Sequence, residues 1–146
     1  MLKETYNYHT SSDRNVYYFE SEGKQGKILK LVMFSRISDV FYNLGFGDLK
    51  NEQIDDSIVS NNHDIVKVMS TVAKIIYDYS NQFPLRRIRI KPVDEKRKTL
   101  YNHIFRRNYD ETKVNFQIIG IINGKKTAYS PKKVYDSFEL KRKFVK

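Results

Sequence analysis

The sequence contains no cysteine and no tryptophan, and only three prolines and six glycines among 146 residues. Without cysteine, disulfides, thiolate metal sites and cysteine nucleophiles are all excluded. The three histidines, His9, His63 and His103, are scattered and make no ligand spacing, so neither a metal nor a cofactor is expected. No apolar run approaches the roughly 18 residues of a membrane span. Met1-Leu2-Lys3-Glu4-Thr5 lacks the apolar stretch of a signal peptide, and a cytoplasmic location without a membrane partner is the expectation. Internal repeats, Pro/Gly/Ser linkers and low-complexity tracts are missing too. Residues 1–146 therefore read as a single domain, with residues 131–146 as a basic closing strand or arm.

What is present argues for a folded chain. Eleven tyrosines and nine phenylalanines are spread along the whole length, and 40% of residues are apolar. That is more than a disordered polyelectrolyte carries. The charge, by contrast, is unevenly spread: residues 81–146 hold 18 Lys and Arg against 6 Asp and Glu, while residues 1–80 hold 9 against 11. One contiguous stretch produces the whole net charge of +10. A field of one sign on part of a small protein is the footprint of an anionic partner.

Periodicity gives the elements. Val16 to Glu22 is aromatic and β-branched, Glu22-Gly23-Lys24-Gln25-Gly26 has turn chemistry, and Lys27 to Ile37 and Val40 to Leu49 read as two further strands. An acidic loop over residues 48–62 follows, with Asp48, Glu52, Asp55 and Asp56 against Lys50. Asn61 or Asn62 is placed to cap a helix with Asp64 in its first turn, and Ile65, Val68, Met69, Val72, Ile76 and Tyr79 keep helical spacing until Pro84. Leu85 to Lys91 alternates, putting Ile88 and Ile90 on one face and Arg87, Arg89 and Lys91 on the other. Asp94 is the expected N-cap of a second helix running to about Tyr109, with Leu100, Tyr101, Ile104 and Phe105 as its apolar stripe. Val114 to Ile122 reads as a strand, and Asn123-Gly124 favours a type I′ hairpin turn into a strand ending at Tyr129. The tail alternates Tyr135, Phe138, Leu140 and Phe144 with basic residues. The predicted fold is α+β: a largely antiparallel twisted sheet of six to seven strands with two helices, in the order β-β-β-α-β-α-β-β.

Two resemblances attach to particular residues. Asn43-Leu44-Gly45-Phe46-Gly47-Asp48, Ser60-Asn61-Asn62, Asp64, Lys67-Val68, Thr71-Val72-Ala73 and later Arg97 with Leu100-Tyr101 resemble the pattern of a small bacterial domain-of-unknown-function family of about this length. The resemblance covers about residues 15–145 and implies no activity. His63 stands where that family has glycine, and Pro92-Val93-Asp94 replaces a hydroxyl-rich loop. The element order also resembles the core of the GNAT acyltransferases, and Leu100-Tyr101-Asn102-His103-Ile104-Phe105 is similar to their second-helix pattern. That resemblance implies Tyr101 as a general acid. The glycine turn that would seat a cofactor pyrophosphate has no counterpart, since residues 48–64 contain no glycine.

Among single residues Arg97 stands apart, because helical spacing puts it inside the sector of Leu100, Tyr101, Ile104 and Phe105. A guanidinium there needs a carboxylate, a carbonyl or a bound anion. Two readings stay open: a structural ion pair with a loop acid, and an anion site at the helix N-terminus. Arg97 and His103 have the loose spacing of HEPN ribonucleases, yet six residues on a helix set them about 240° apart. Asp13 with Glu22-Gly23-Lys24 has nuclease-like composition on what reads as an ordinary turn. Asp48, Asp55, Asp56 and Asp64 read as a solvated acidic cluster rather than a magnesium site.

The remaining signal is cationic. Arg97, Arg87, Arg89, Lys91, Lys98, Arg106, Arg107, Lys125 and Lys126 are the candidate anion-binding residues. The function expected is nucleic-acid binding, RNA or single strands, mainly through phosphates and without strong sequence readout. A degenerate GNAT-like acyltransferase using Tyr101 is the enzymatic alternative. Docking of an acidic protein, as one partner of a paired bacterial system such as toxin and antitoxin, is the third.

Overall fold

The computed structural model describes residues 4–24, 26–48 and 64–144. Eight strands and three helices lie among them: β1 (His9–Thr10), β2 (Val16–Gly23), β3 (Gly26–Arg36), β4 (Phe41–Asp48), α1 (Ile65–Gln82), β5 (Arg87–Ile90), α2 (Glu95–Arg107), α3 (Tyr109–Asn115), β6 (Phe116–Ile122), β7 (Lys125–Ala128) and β8 (Ser137–Arg142). The strands form one mixed, mostly antiparallel sheet in the order β1-β2-β3-β4-β5-β8-β6-β7. The α+β class stands, with details that differ from the six to seven strands and two helices expected. The additional strand is the two-residue β1, paired with β2. The additional helix arises because Asn108 interrupts α2, and the chain resumes as α3 where a strand from Val114 was expected. The chain packs as two compact units, residues 1–35 with 45–82 and residues 36–44 with 83–146.

In the first unit, alternation along β2 and β3 places Tyr17, Phe19, Val32 and Phe34 in the core. Helix α1 supplies Val68, Thr71, Val72, Ile75, Ile76 and Tyr79 at helical spacing. Tyr79 stacks on Phe34 with ring centroids 3.7 Å apart. This packing holds the helix, since its β-branched residues have modest intrinsic propensity. Asp64 does not join the first turn as expected; it precedes the helix, and its carbonyl accepts from the Val68 amide. Its carboxylate accepts from the hydroxyls of Tyr6, at 2.6 Å, and Ser21.

The second unit is built around β8. That strand, the tail read as a closing strand or arm, lies between β5 and β6 and pairs antiparallel with both. Ile88, Ile90, Ile118, Phe138 and Leu140 point to one side of this sheet and are buried. Helix α2 packs there, with Phe105 stacked on Phe138 at 4.3 Å. Asn123 and Gly124 have φ of 51° and 77°, the left-handed pair required by the expected type I′ turn between β6 and β7.

Asp94 caps α2 as expected, accepting from the Arg97 amide at 2.8 Å. That bond, assisted by the Arg97 charge, holds the Asp94 carboxyl below its ordinary range. A depressed folded value means that the stabilisation is complete above the unfolded carboxylate value and fades as pH falls through the folded one. Asp94→Ala is expected to cost about 1 kcal/mol and Asp94→Asn less, because asparagine keeps the cap acceptor. Urea unfolding at neutral pH measures both, and the gap between wild type and Asp94→Ala should narrow in acid.

Candidate anion-binding face

The side of the second unit's sheet that α2 leaves uncovered is set by register. Phe41 pairs with Arg87, Asn43 with Arg89, and Arg89 with Glu139. Residues opposite one another share a face, so Phe41, Arg87, Arg89 and Glu139 lie together. Lys126 extends from β7 and donates to Glu139 Oε1 at 2.9 Å. Arg87 Nη1 stands 3.7 Å from Glu139 Oε2, and Arg89 Nη2 stands 4.0 Å from Oε1. The same three cations ring Phe41: the Arg87 and Arg89 guanidinium carbons are 5.7 and 4.9 Å from its centroid, and Lys126 Nζ is 4.6 Å away.

Burial divides the cluster into a floor and a rim. Glu139 is fully buried, whereas the side chains of Arg87, Arg89 and Lys126 are 35%, 31% and 45% exposed. Three cations over one carboxylate leave a formal surplus of two positive charges around a half-buried aromatic ring. The exposed parts of the three cations are charged donors of the kind that meet an anion.

The other expected anion-binding residues are dispersed. Arg97 is 3% exposed, and its Nη1 binds Asp94 Oδ2 at 2.7 Å, so the carboxylate of its own helix cap faces it. Lys98 donates to Asp136 at 3.0 Å, a pairing that raises the lysine's pKa above its usual value. Lys91 is exposed just beyond β5, and Arg106 and Arg107 are exposed in the last turn of α2. Lys125 precedes Lys126 on β7, so alternation turns it to the opposite face. Of the aromatic residues interleaved with these cations in the sequence, Tyr101, Phe105, Tyr129 and Tyr135 are buried and Tyr109 is half-buried.

Tyr101 lies in α2, and burial raises its hydroxyl above the ordinary tyrosine value, partly offset by the adjacent Arg97 charge. His103 is exposed on the same helix. Asp48 is paired with Lys30 and Asp64 is engaged with Tyr6 and Ser21, while Asp55, Asp56, His63 and the Asn61 or Asn62 cap lie outside the described residues. Among the described residues no group of three or more acidic or histidine side chains is placed to hold a metal ion.

Two members of the face were missed in the sequence, Phe41 and Glu139. The signal for Glu139 was available: alternation that buries Phe138 and Leu140 against α2 must direct Glu139 to the other side, with Arg89 across from it.

A model described as a family of unknown function, DUF6934, matches residues 2–143. The chain belongs to that family. No curated protein and no solved structure matches it. The match extends over nearly the whole chain and agrees with the resemblance to a domain-of-unknown-function family. No helix among the described residues is long and apolar enough to cross a membrane.

Proposed function

We propose that this protein binds single-stranded nucleic acid, with RNA favoured, through the uncovered sheet face of its second unit. The observation that carries this reading is the convergence of Arg87, Arg89 and Lys126 around Phe41 on the side of the sheet away from α2. Sheets with helices on one face and aromatic and basic side chains on the other suit splayed single strands, whose bases stack while phosphates meet the cations. The face is built from three cations around one aromatic ring, so affinity should depend on salt more than on sequence.

The test is affinity for a labelled oligouridylate as a function of salt. Each phosphate contact to a single strand contributes about 0.7 to the slope of log K against log salt, so Arg87→Gln with Lys126→Gln should flatten it by about 1.4. Glutamine keeps a neutral donor beside Glu139, and urea unfolding of the double variant verifies that it is folded before its affinity is compared. At moderate salt the same pair should weaken binding by about tenfold. Lys132→Gln with Lys133→Gln, which removes equal charge from an exposed turn, serves as the control. An equal loss in the control sinks the assignment to this face, and no binding at low ionic strength sinks the nucleic-acid reading. Displacement by polyglutamate at matched charge would instead favour the acidic-protein partner.

A second reading, acyl transfer, has one observation in its favour. Strand β4 pairs parallel with β5 and β8 lies between β5 and β6, an arrangement similar to the acyltransferase core, with Tyr101 on the helix after β5. A ligand bound only by the folded state raises the melting temperature, so thermal shift with acetyl-CoA separates the two readings.

A further inference from the structure

Among the described residues Glu139 is the one anion in the cationic cluster, and its environment is unusual for a carboxylate. It is fully buried; Oε1 accepts from Lys126 at 2.9 Å, whereas among the described residues Oε2 accepts no hydrogen bond and faces Arg87 Nη1 at 3.7 Å. Arg89 Nε is likewise buried, without an acceptor among the described residues. A carboxylate so placed is held by charge more than by directed hydrogen bonds, and three cations surround it where one would neutralise it. Beneath the rim it occupies the position from which a bound anion would draw on all three cations together.

We infer that Glu139 is a built-in counter-anion that restricts this face to polyanions, admitting a chain of linked phosphates and rejecting a single one. The inference rests on the nucleic-acid reading and specifies which anions that face accepts. The inner donors of Arg87, Arg89 and Lys126 are directed at a carboxylate tethered to the same sheet, whose effective concentration exceeds that of any dissolved phosphate. A lone phosphate meets only the outer, solvated donors, where one ion pair is weak and screened by salt. Linked phosphates add such contacts along the rim, Arg87 and Arg89 holding one and Lys126 the next. Once the first is engaged, the second binds from a high local concentration. Glu139 thereby also keeps the three cations aligned in the absence of ligand.

The test compares wild type and Glu139→Gln against a labelled oligouridylate of about 12 nucleotides, within the span of single-strand sites. Glutamine preserves shape and removes one negative charge. The expected result is binding about fivefold tighter, with a steeper salt dependence, as one further cation becomes free to meet phosphate. A purely structural role for Glu139 predicts the opposite sign, so a folded Glu139→Gln that binds no tighter overturns the inference. A second measurement needs no variant. On wild type at constant ionic strength, long-chain polyphosphate should displace the oligouridylate and orthophosphate at equal phosphorus concentration should not; equal displacement by orthophosphate overturns the inference, even where Glu139→Gln fails to fold. Salt-dependent oligouridylate binding by wild type separates the two ideas, because its absence removes the underlying reading, whereas its presence with either adverse result removes only the role of Glu139.

Discussion

Lys30→Met is expected to lower stability by about 3–5 kcal/mol, the usual cost of removing one partner of a buried ion pair. Lys30 lies on β3 across from Phe19, its side chain 1% exposed, and its Nζ binds Asp48 at the end of β4, where the carboxylate is fully buried. Methionine approximates the volume of the lysine stem, so little of the loss would come from a cavity. Most of it would come from an acid left in a low-dielectric site without the cation that faces it. Against a total stability of about 5–15 kcal/mol for a protein this size, such a change is severe. Urea unfolding followed by tyrosine fluorescence measures it. The double variant Lys30→Met with Asp48→Leu should recover most of the loss, because replacing a buried pair by apolar residues is often close to neutral. A single variant within about 1 kcal/mol of wild type would show that the pair contributes little.

Lys30 marks the limit of what periodicity could deliver. The strand Ile28-Leu29-Lys30-Leu31-Val32 was legible, and Lys30 is in phase with the buried Val32 and Phe34. A lysine in phase with core residues implies a buried acid partner, yet the loop reading gave Asp48 to a solvated acidic segment. Strand β4 runs to Asp48, within the strand expected over Val40 to Leu49, and brings it beside Lys30, a pairing between strands that no local rule supplies. The helices were legible for the converse reason. Asp94 and the stripe from Tyr101 to Phe105 are local signals, and both appear where spacing put them. Asn108 ended α2 early because its side chain accommodates a helix end, donating from Nδ2 to Ile104 at 2.9 Å.

The anion-binding face was half legible. Alternation correctly set Arg87 and Arg89 on one side of β5, but the residues that turn two arginines into a cluster come from three other strands. Phe41 meets them because β4 pairs with β5, Glu139 because β8 inserts between β5 and β6, and Lys126 because its side chain reaches Glu139 from β7. A sequence in chain order would place β8 at an edge, and with it the basic tail would be a free arm. The insertion instead carries Glu139 to the centre of the face, so the charge excess of the second half is partly neutralised where it is densest. Arg97, singled out for facing inward, does so, and meets the carboxylate three residues before it.

Gly120→Ala is the last result we expect to be large, a loss of about 3 kcal/mol at the upper end of ordinary overpacking. Gly120 lies in β6 opposite Phe138, and an added Cβ would be driven into the ring of Tyr135, lying 2.6 Å from Cζ and nearer still to Cε1 and Cδ1. Overpacking is tolerated where the neighbour can yield, and Tyr135 cannot. It is fully buried, its ring meets those of Tyr129 and Phe138 at 5.1 and 6.1 Å, and its hydroxyl accepts from the Ser130 amide at 2.8 Å. Asn102, buried in α2, fixes its backbone from both sides: Oδ1 accepts from the Tyr135 amide at 2.8 Å and Nδ2 donates to the Tyr135 carbonyl at 2.9 Å. For a chain of this length the loss corresponds to a fall in melting temperature of roughly 10 °C. Combining it with Tyr135→Leu isolates the cause, because the alanine should then cost under about 1 kcal/mol and the two losses should be non-additive. An alanine equally costly in both backgrounds would place the strain in the β6 backbone and not in the tyrosine ring.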